Sequence, residues 1–397
     1  MPPPSRHYGM DWLRIGAFAL LILYHVGLVF GPWAYELKTA HPADWVSIPM
    51  LFTNSWRLSL LFAISGYASA ALLAREGALT ARMVGRFTRG RLARLGIPLL
   101  FGMAVIVTPQ PWVALVTQHG YAHGFGWFLQ HDYYRFQAID GIKMPTWMHL
   151  WFVVYLLTYT LVFAAMLLLP ARVQAGAKAA AERVLAGALL LPIPALLIWA
   201  ARSQPGAWSD THGLFDDGYA HLTYFPMFLF GVLLRASEPL RAAIARQWPL
   251  ALALGLTGYA VIVGFELLYP GLTPLPNWAR QPYNLARSVQ AWGSMVALFG
   301  IAERYWNRDG AWRATLAEAV FPFYIIHQTV ILVVGYWLLG RGIGAPAEFA
   351  ILVAATATGC WLFYLAGREI GPLRPLIGLK RRAPSPSPPS PAAAPSP

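Results

Sequence analysis

Charge is what this chain has least of. Acidic and basic residues make up 12% of its 397 positions, about half the share usual in a soluble domain. With 57% hydrophobic residues and a mean hydropathy of +0.49, a soluble globular protein is excluded, and the chain reads as an integral membrane protein. Cysteine is nearly absent too. The single Cys360 excludes an internal disulfide framework and a cysteine-rich metal site, and its place in a late apolar run reads as packing. No small-residue cleavage site follows the first apolar run at a suitable distance, so the first helix is expected to act as an uncleaved anchor. No internal repeat is visible, which argues against an inverted-repeat transporter.

What the sequence does have is long apolar runs. Segments of roughly 17–25 apolar residues cross a bilayer as helices, and about ten occur: near 12–34, 48–74, 95–117, 147–169, 184–201, 221–235, 248–269, 283–303, 316–339 and 347–367. The fold expected is all-α, a polytopic transmembrane bundle of about ten spans over residues 11–370. A short segment, 1–10, precedes it, and a Pro/Ser/Ala-rich tail, 371–397, follows it. That tail is expected to be disordered, because "APSPSPPSPAAAPSP" has nothing to bury.

The formal charge of +13 raises the question of nucleic acid, but the basic residues fall between apolar runs, which is a topology pattern. If the N-terminus is inside, one inner loop alone holds Arg75, Arg82, Arg86, Arg89, Arg91 and Arg94. The outer segments hold only Lys38, Arg135, Lys143, Arg202, Arg280 and Arg341. Basic residues concentrate on the cytoplasmic side, so both termini are expected in the cytoplasm, the protein in the inner (plasma) membrane, and nucleic acid is not expected as a partner. The long outer loop, about 118–146, carries His119, His123, His131 and Asp132. These read as surface residues, and no metal is expected.

Three arginines, Arg14, Arg57 and Arg287, fall inside spans. The first stands in "DWLRIGAFALLILYH", residues 11–25. A charge near the bilayer centre costs about 2.5–3.5 kcal/mol on insertion scales. Arg14 and His25 are eleven positions apart on the helix, about three turns, so the two share one face about 16 Å apart along the axis. Asp11, three residues before Arg14, lies near the same stripe and can pair with it. A polar stripe on an apolar helix belongs in an interior cavity or a channel and not against lipid.

Arginine, ten residues and histidine in the first span, followed in order by "LLFAISGY" at 60–67, "RFTRGRLARLGIPLL" at 86–100, "HLWFVVYLL" at 149–157 and "FPFYIIHQTVI" at 321–331, resembles the acyltransferase family 3 membrane proteins. The likeness runs over nearly all of residues 8–370 and is greatest to the branch that succinylates periplasmic glucans. It implies transfer of an acetyl or succinyl group from cytoplasmic acyl-CoA to a hydroxyl of an extracytoplasmic carbohydrate, by the membrane-only form of the family. Acyl-CoA and a carbohydrate acceptor are therefore the implied partners besides membrane lipids, with no permanently bound cofactor. A multi-span exporter of an anionic solute, its charges lining a translocation path, is the competing expectation.

Acyl transfer to a hydroxyl needs a base, a positive or donor-rich site for the oxyanion, and a grip on the thioester donor. His25 suits the base, since histidine titrates near working pH and matches the family's first-span histidine. A covalent acyl-histidine is the other route. Arg14, with Asp11 beside it, is expected to steer acyl-CoA or meet a succinyl carboxylate. Arg86, Arg89, Arg91 and Arg94 offer forks for its phosphates; the resemblance favours Arg91 and Arg94, the basic pair before the proline. His149 with Trp151 suits a sugar at the outer face. His327, near mid-span with Tyr324 three residues before it, and the intramembrane Arg57 and Arg287 are expected to line the path, with Glu266 a possible partner for the arginines. "SGY" at 65–67 reads as a close-packing site.

Overall fold

The computed structural model describes residues 7–74, 80–204 and 211–381; Arg75 and the tail from Ala383 lie outside them. Residues 371–381, expected as the start of the disordered tail, instead hold a helical turn, Leu373–Leu376, and bury Ile377 and Leu379 against the bundle. The described chain is almost wholly helical. Its main elements are α1 (Tyr8–Phe30), α2 (Asp44–Leu73), α3 (Ala81–Ile106), α4 (Pro109–Gln118), α5 (Met148–Met166), α6 (Ala171–Leu185), α7 (Ala188–Arg202), α8 (Gly218–Ala236), α9 (Glu238–Leu268), α10 (Asn277–Tyr305), α11 (Arg313–Leu338) and α12 (Ala345–Glu369). A two-stranded antiparallel hairpin, Ala138–Ile139 with Ile142–Lys143, sits in the loop between α4 and α5.

Each of the ten expected segments is helical, but they do not all qualify equally as spans. Among the described residues, α1, α2, α5, α9, α11 and α12 are long and apolar enough to cross a membrane, and two bent pairs raise the number from six to eight. The third expected span starts earlier than 95, at Ala81, and bends by 43° before Pro109, which has no N–H to continue the ladder. The fifth differs more. α6 has no buried residue, and it turns by 90° into α7 at a break that Gly187 opens and Pro192 follows. α6 is 15 residues long and amphipathic, with Arg172, Lys178 and Glu182 away from a face of Val173, Ala177, Ala180 and Val184, so it counts towards a span only together with α7. α8 and α10 have the length, but buried polar side chains such as Asn284, Ser288 and Gln290 lower the apolar character of α10.

α1 is the hub. It packs on α11, α10, α2 and α12, burying Leu13, Ala17, Phe18 and Leu21 while Ala19, Leu20 and Leu23 face outward. The polar stripe therefore runs between packed helices. Elsewhere small residues set the helix spacing, as membrane bundles require. α2 crosses α8 so closely that a Cβ on Gly66 would stand 1.9 Å from the Phe228 carbonyl oxygen, and one on Gly231 1.8 Å from that of Ala63. "SGY" is thus a packing site. α9 and α10 meet in the same way through Gly255, Gly258 and Gly293.

Candidate functional site

At the far end of the α1 stripe three histidines converge. His25 comes from α1, His327 from α11, and His149 from the start of α5. The His25 and His327 rings lie 5.0 Å apart, as do those of His149 and His327. Their hydrogen bonds fix which nitrogen carries the proton. His327 Nδ1–H donates to the Tyr324 carbonyl at 2.7 Å, leaving Nε2 as an acceptor, 3.4 Å from His25 Nδ1. His149 Nε2–H points at the Tyr324 and Ile325 carbonyls, both at 3.1 Å. Its Nδ1 therefore accepts from Gln110 Nε2 at 3.2 Å. Gln110 also donates to Thr329 Oγ1 at 2.8 Å, which donates onward to the Ile106 carbonyl at 2.7 Å. The Tyr324 hydroxyl closes the network on the His149 carbonyl.

His25 differs from the other two. Its Nδ1–H donates to the Leu21 carbonyl at 2.8 Å, so Nε2 carries the lone pair, and among the described residues Nε2 has no hydrogen-bond partner. The protein thus pins the ring in one orientation and leaves one basic nitrogen open. Arg57, buried at 4% exposure, lies within electrostatic range of His25. It stacks on Tyr24 at 3.6 Å from the ring centroid, an arrangement worth about 2 kcal/mol when desolvated.

The loop after α1 roofs this cluster. Lys38 Nζ donates to the Leu28 carbonyl at 2.6 Å, to that of Trp33 at 3.1 Å and to that of Gly31. A cation is thereby placed on the carbonyl end of α1, where the helix dipole favours it. Trp33 stacks on Tyr24 and the Tyr35 ring sits 6.2 Å from His25. Glu36 Oε1 accepts from Gln328 Nε2 at 3.3 Å. Glu36 Oε2 and the Tyr35 hydroxyl are buried without a hydrogen-bond partner among the described residues. Burial pushes the Glu36 carboxyl above the usual carboxylate range, only partly offset by its own backbone N–H.

At the Arg14 end lies a basic cavity of about 460 Å³. Arg14, Arg91, Arg94, Arg235 and Lys380 line it together with Asp11 and His7. Arg14 Nη2 donates to the Ala317 carbonyl at 2.9 Å and is 3.8 Å from Asp11 Oδ1. The closer partner of Asp11 is Arg313, at 2.6 Å, and Arg313 also holds Asp309 at 2.6 Å. Asp11 therefore ties α1 to α11 and stands at the opposite end of the stripe from His25.

The structure sorts the other expected residues. Arg91 and Arg94 line the basic cavity, whereas Arg86 and Arg89 are exposed and outside its lining. Trp151 is buried and stacks on His212 at 4.3 Å, so it offers no face to a sugar. With both its nitrogens engaged, His149 offers none either. Arg287 belongs to a separate cavity, which Glu266 shares. In the 118–146 loop, His123 and His131 stack on Trp127, and Asp132 accepts from Tyr121. Among the described residues, no three His, Cys, Asp or Glu side chains are placed to hold a metal ion. Sequence reasoning missed Gln110, Glu36, Gln328 and Thr329, and the cavity residues Arg235 and Lys380. The polar triplet His327-Gln328-Thr329 inside an apolar run was the visible signal for two of them.

A helical bundle with six to eight helices long and apolar enough to cross a membrane, among the described residues, defines a polytopic membrane protein. It belongs to the acyltransferase family 3 membrane proteins, whose model, described as an acyltransferase domain, matches residues 7–365. Curated relatives include the glucans biosynthesis protein C of Escherichia coli O1:K1 and that of Escherichia coli O157:H7. Each is 28% identical to this chain over 158 residues, which is 40% of this chain and 38% of theirs. The matched stretch thus spans well under half the length of these relatives. No solved structure matches the chain.

Proposed function

We propose that the protein is a membrane O-acyltransferase of the inner membrane. In this reading it moves an acetyl or succinyl group from cytoplasmic acyl-CoA to a hydroxyl of an extracytoplasmic carbohydrate. The observation that carries the reading is the pairing, on one helix, of a basic cavity at Arg14 with an open histidine nitrogen at His25. The family supports acyl transfer, and the relatives' printed name supports a glucan-type acceptor. All ten helical segments count as passes here, with both termini in the cytoplasm, in keeping with the distribution of basic residues.

Arg91, Arg94, Arg14 and Lys380 hold the phosphates of coenzyme A, for which guanidinium forks are suited. The long pantetheine arm then carries the thioester along the stripe towards His25. His25 Nε2 takes the proton of the acceptor hydroxyl as its oxygen attacks the thioester carbonyl. The positive charge of Arg57 favours the oxyanion. When the C–S bond breaks, the sulfur leaves with the proton from His25, so the products are an ester and free coenzyme A. His327, wholly buried with its Nε2 against His25, and His149, with both nitrogens engaged, are positioning residues.

The test is mass spectrometry of cell-envelope and periplasmic glycans with and without the protein, joined to an assay of purified protein for release of coenzyme A from acetyl- and succinyl-CoA. Acylated glycans that vanish with the protein, and acceptor-dependent release, are expected. Glycans unchanged in acylation and no release from either donor would leave the exporter as the better reading.

A further inference from the structure

A polar cavity lies at the His25 end, between the ends of α7, α9 and α10, and has a volume of about 690 Å³. That is within the range of small-molecule sites, about 300–1,000 Å³. Three arginines, Arg202, Arg280 and Arg287, line it against one carboxylate, Glu266. Glu266 Oε1 is already occupied by the Gly271 N–H at 3.1 Å. Arg202 and Arg287 lie within electrostatic range of each other, a repulsion that a bound anion relieves. Arg202 Nε and Asn284 Oδ1 are buried in the cavity region with no hydrogen-bond partner among the described residues, and such atoms are costly unless something satisfies them.

Membrane topology does not account for these arginines. In the orientation proposed above, this is the side where basic residues are sparse, yet three of them converge on one cavity. One wall of the cavity links it to the His25 cluster. Trp33, one of its walls, stacks on Tyr24 with the rings 11° from parallel. Tyr24 in turn carries Arg57 and is the residue before His25. Trp33, Tyr269 and Tyr283 give the cavity amphipathic ring surfaces, and Gln204 and Gln281 add amides that suit hydroxyls.

We propose that this cavity seats the acceptor and that the acceptor is acidic: a saccharide bearing a carboxylate or phosphate held by Arg202, Arg280 and Arg287, its sugar faces on the aromatic walls. The assignment rests on the acyltransferase reading for the word acceptor, but its test is one of binding alone. The purified full-length protein in detergent is titrated with cellotetraose and with the same oligomer oxidised at C6 to its uronate. The uronate is expected to bind about tenfold tighter or more, the worth of one charge-assisted hydrogen bond, and the advantage should shrink with added salt. Arg202→Gln and the exposed Arg280→Gln should each reduce that preference while coenzyme A binding at the Arg14 end stays unchanged, which confirms folding. Equal binding of the two oligomers, no binding of either, or a preference that survives both substitutions overturns the proposal. So does tighter, arginine-dependent binding of dioctanoyl phosphatidylglycerol, which reassigns the cavity to a lipid headgroup. Acid selectivity in a protein that transfers no acyl group would sink the enzyme reading and leave this one standing.

Discussion

Gln110 holds two groups at once, His149 Nδ1 and Thr329 Oγ1. Gln110→Ala leaves the buried His149 Nδ1 without its donor, while Thr329 Oγ1 keeps its bond to the Ile106 carbonyl, and an unsatisfied buried polar group costs about 1–3 kcal/mol. The thermal midpoint in detergent should fall while coenzyme A binding at the distant Arg14 end is kept; an unchanged midpoint would show the network to be dispensable. Glu36 offers a pH-dependent test. Its raised carboxyl pKa means that the fold favours the neutral acid, so its contribution is most favourable below the ordinary value near 4.5. Stability declines as pH rises from there through the raised value. Glu36→Gln, which is always neutral, should flatten that decline, and identical midpoint-against-pH curves for the two proteins would contradict the assignment. Neither residue was legible in the sequence. A glutamine at a helix start and a glutamate in a loop carry no periodic signal, and only the folded contacts give them partners. Arg14, His25 and His327 were legible because charge and imidazole stand out against an apolar background.

At the scale of helices, composition announced nearly everything that depends on apolar length and little that depends on bends. The ten segments were visible as runs of hydrophobic residues. The 90° break between α6 and α7 was not, because Gly187 and Pro192 mark a possible turn without giving its angle. Helix spacing was half-visible. The glycines could be read as close-packing positions, but their partners, the Phe228 and Ala63 carbonyls, come from the crossing of α2 and α8. Gly66→Leu should therefore abolish the folded protein or sharply lower its yield, because the clash is with backbone and cannot be relieved by a rotamer change. Gly85→Leu, on α3, where a Cβ meets nothing within 4 Å, is the control and should express normally. Equal yields of the two variants would contradict the packing account.

For the whole molecule, the proposed function divides labour between the two ends of α1. Arg91→Gln with Arg94→Gln should weaken binding of coenzyme A about tenfold or more, if each loses a charge-assisted contact. Insertion should stay normal, because the remaining inner arginines still set topology. Arg86→Gln with Arg89→Gln, whose side chains lie outside the cavity lining, should leave binding near wild type. Equal effects from the two pairs would mean that bulk charge and not the cavity holds the donor. A reporter placed after Lys380 should be active in its cytoplasmic form only, and periplasmic activity there would invert the proposed orientation.

The most direct measurement is the rate of acyl transfer by purified His25→Ala, compared with wild type at matched folded protein and matched coenzyme A binding. Losing a general base typically costs about 10²–10⁴-fold, so transfer should fall by that much. His25→Gln should fail as well, since an amide holds the Leu21 carbonyl but cannot shuttle a proton. Transfer near the wild-type rate in well-folded His25→Ala would contradict the account.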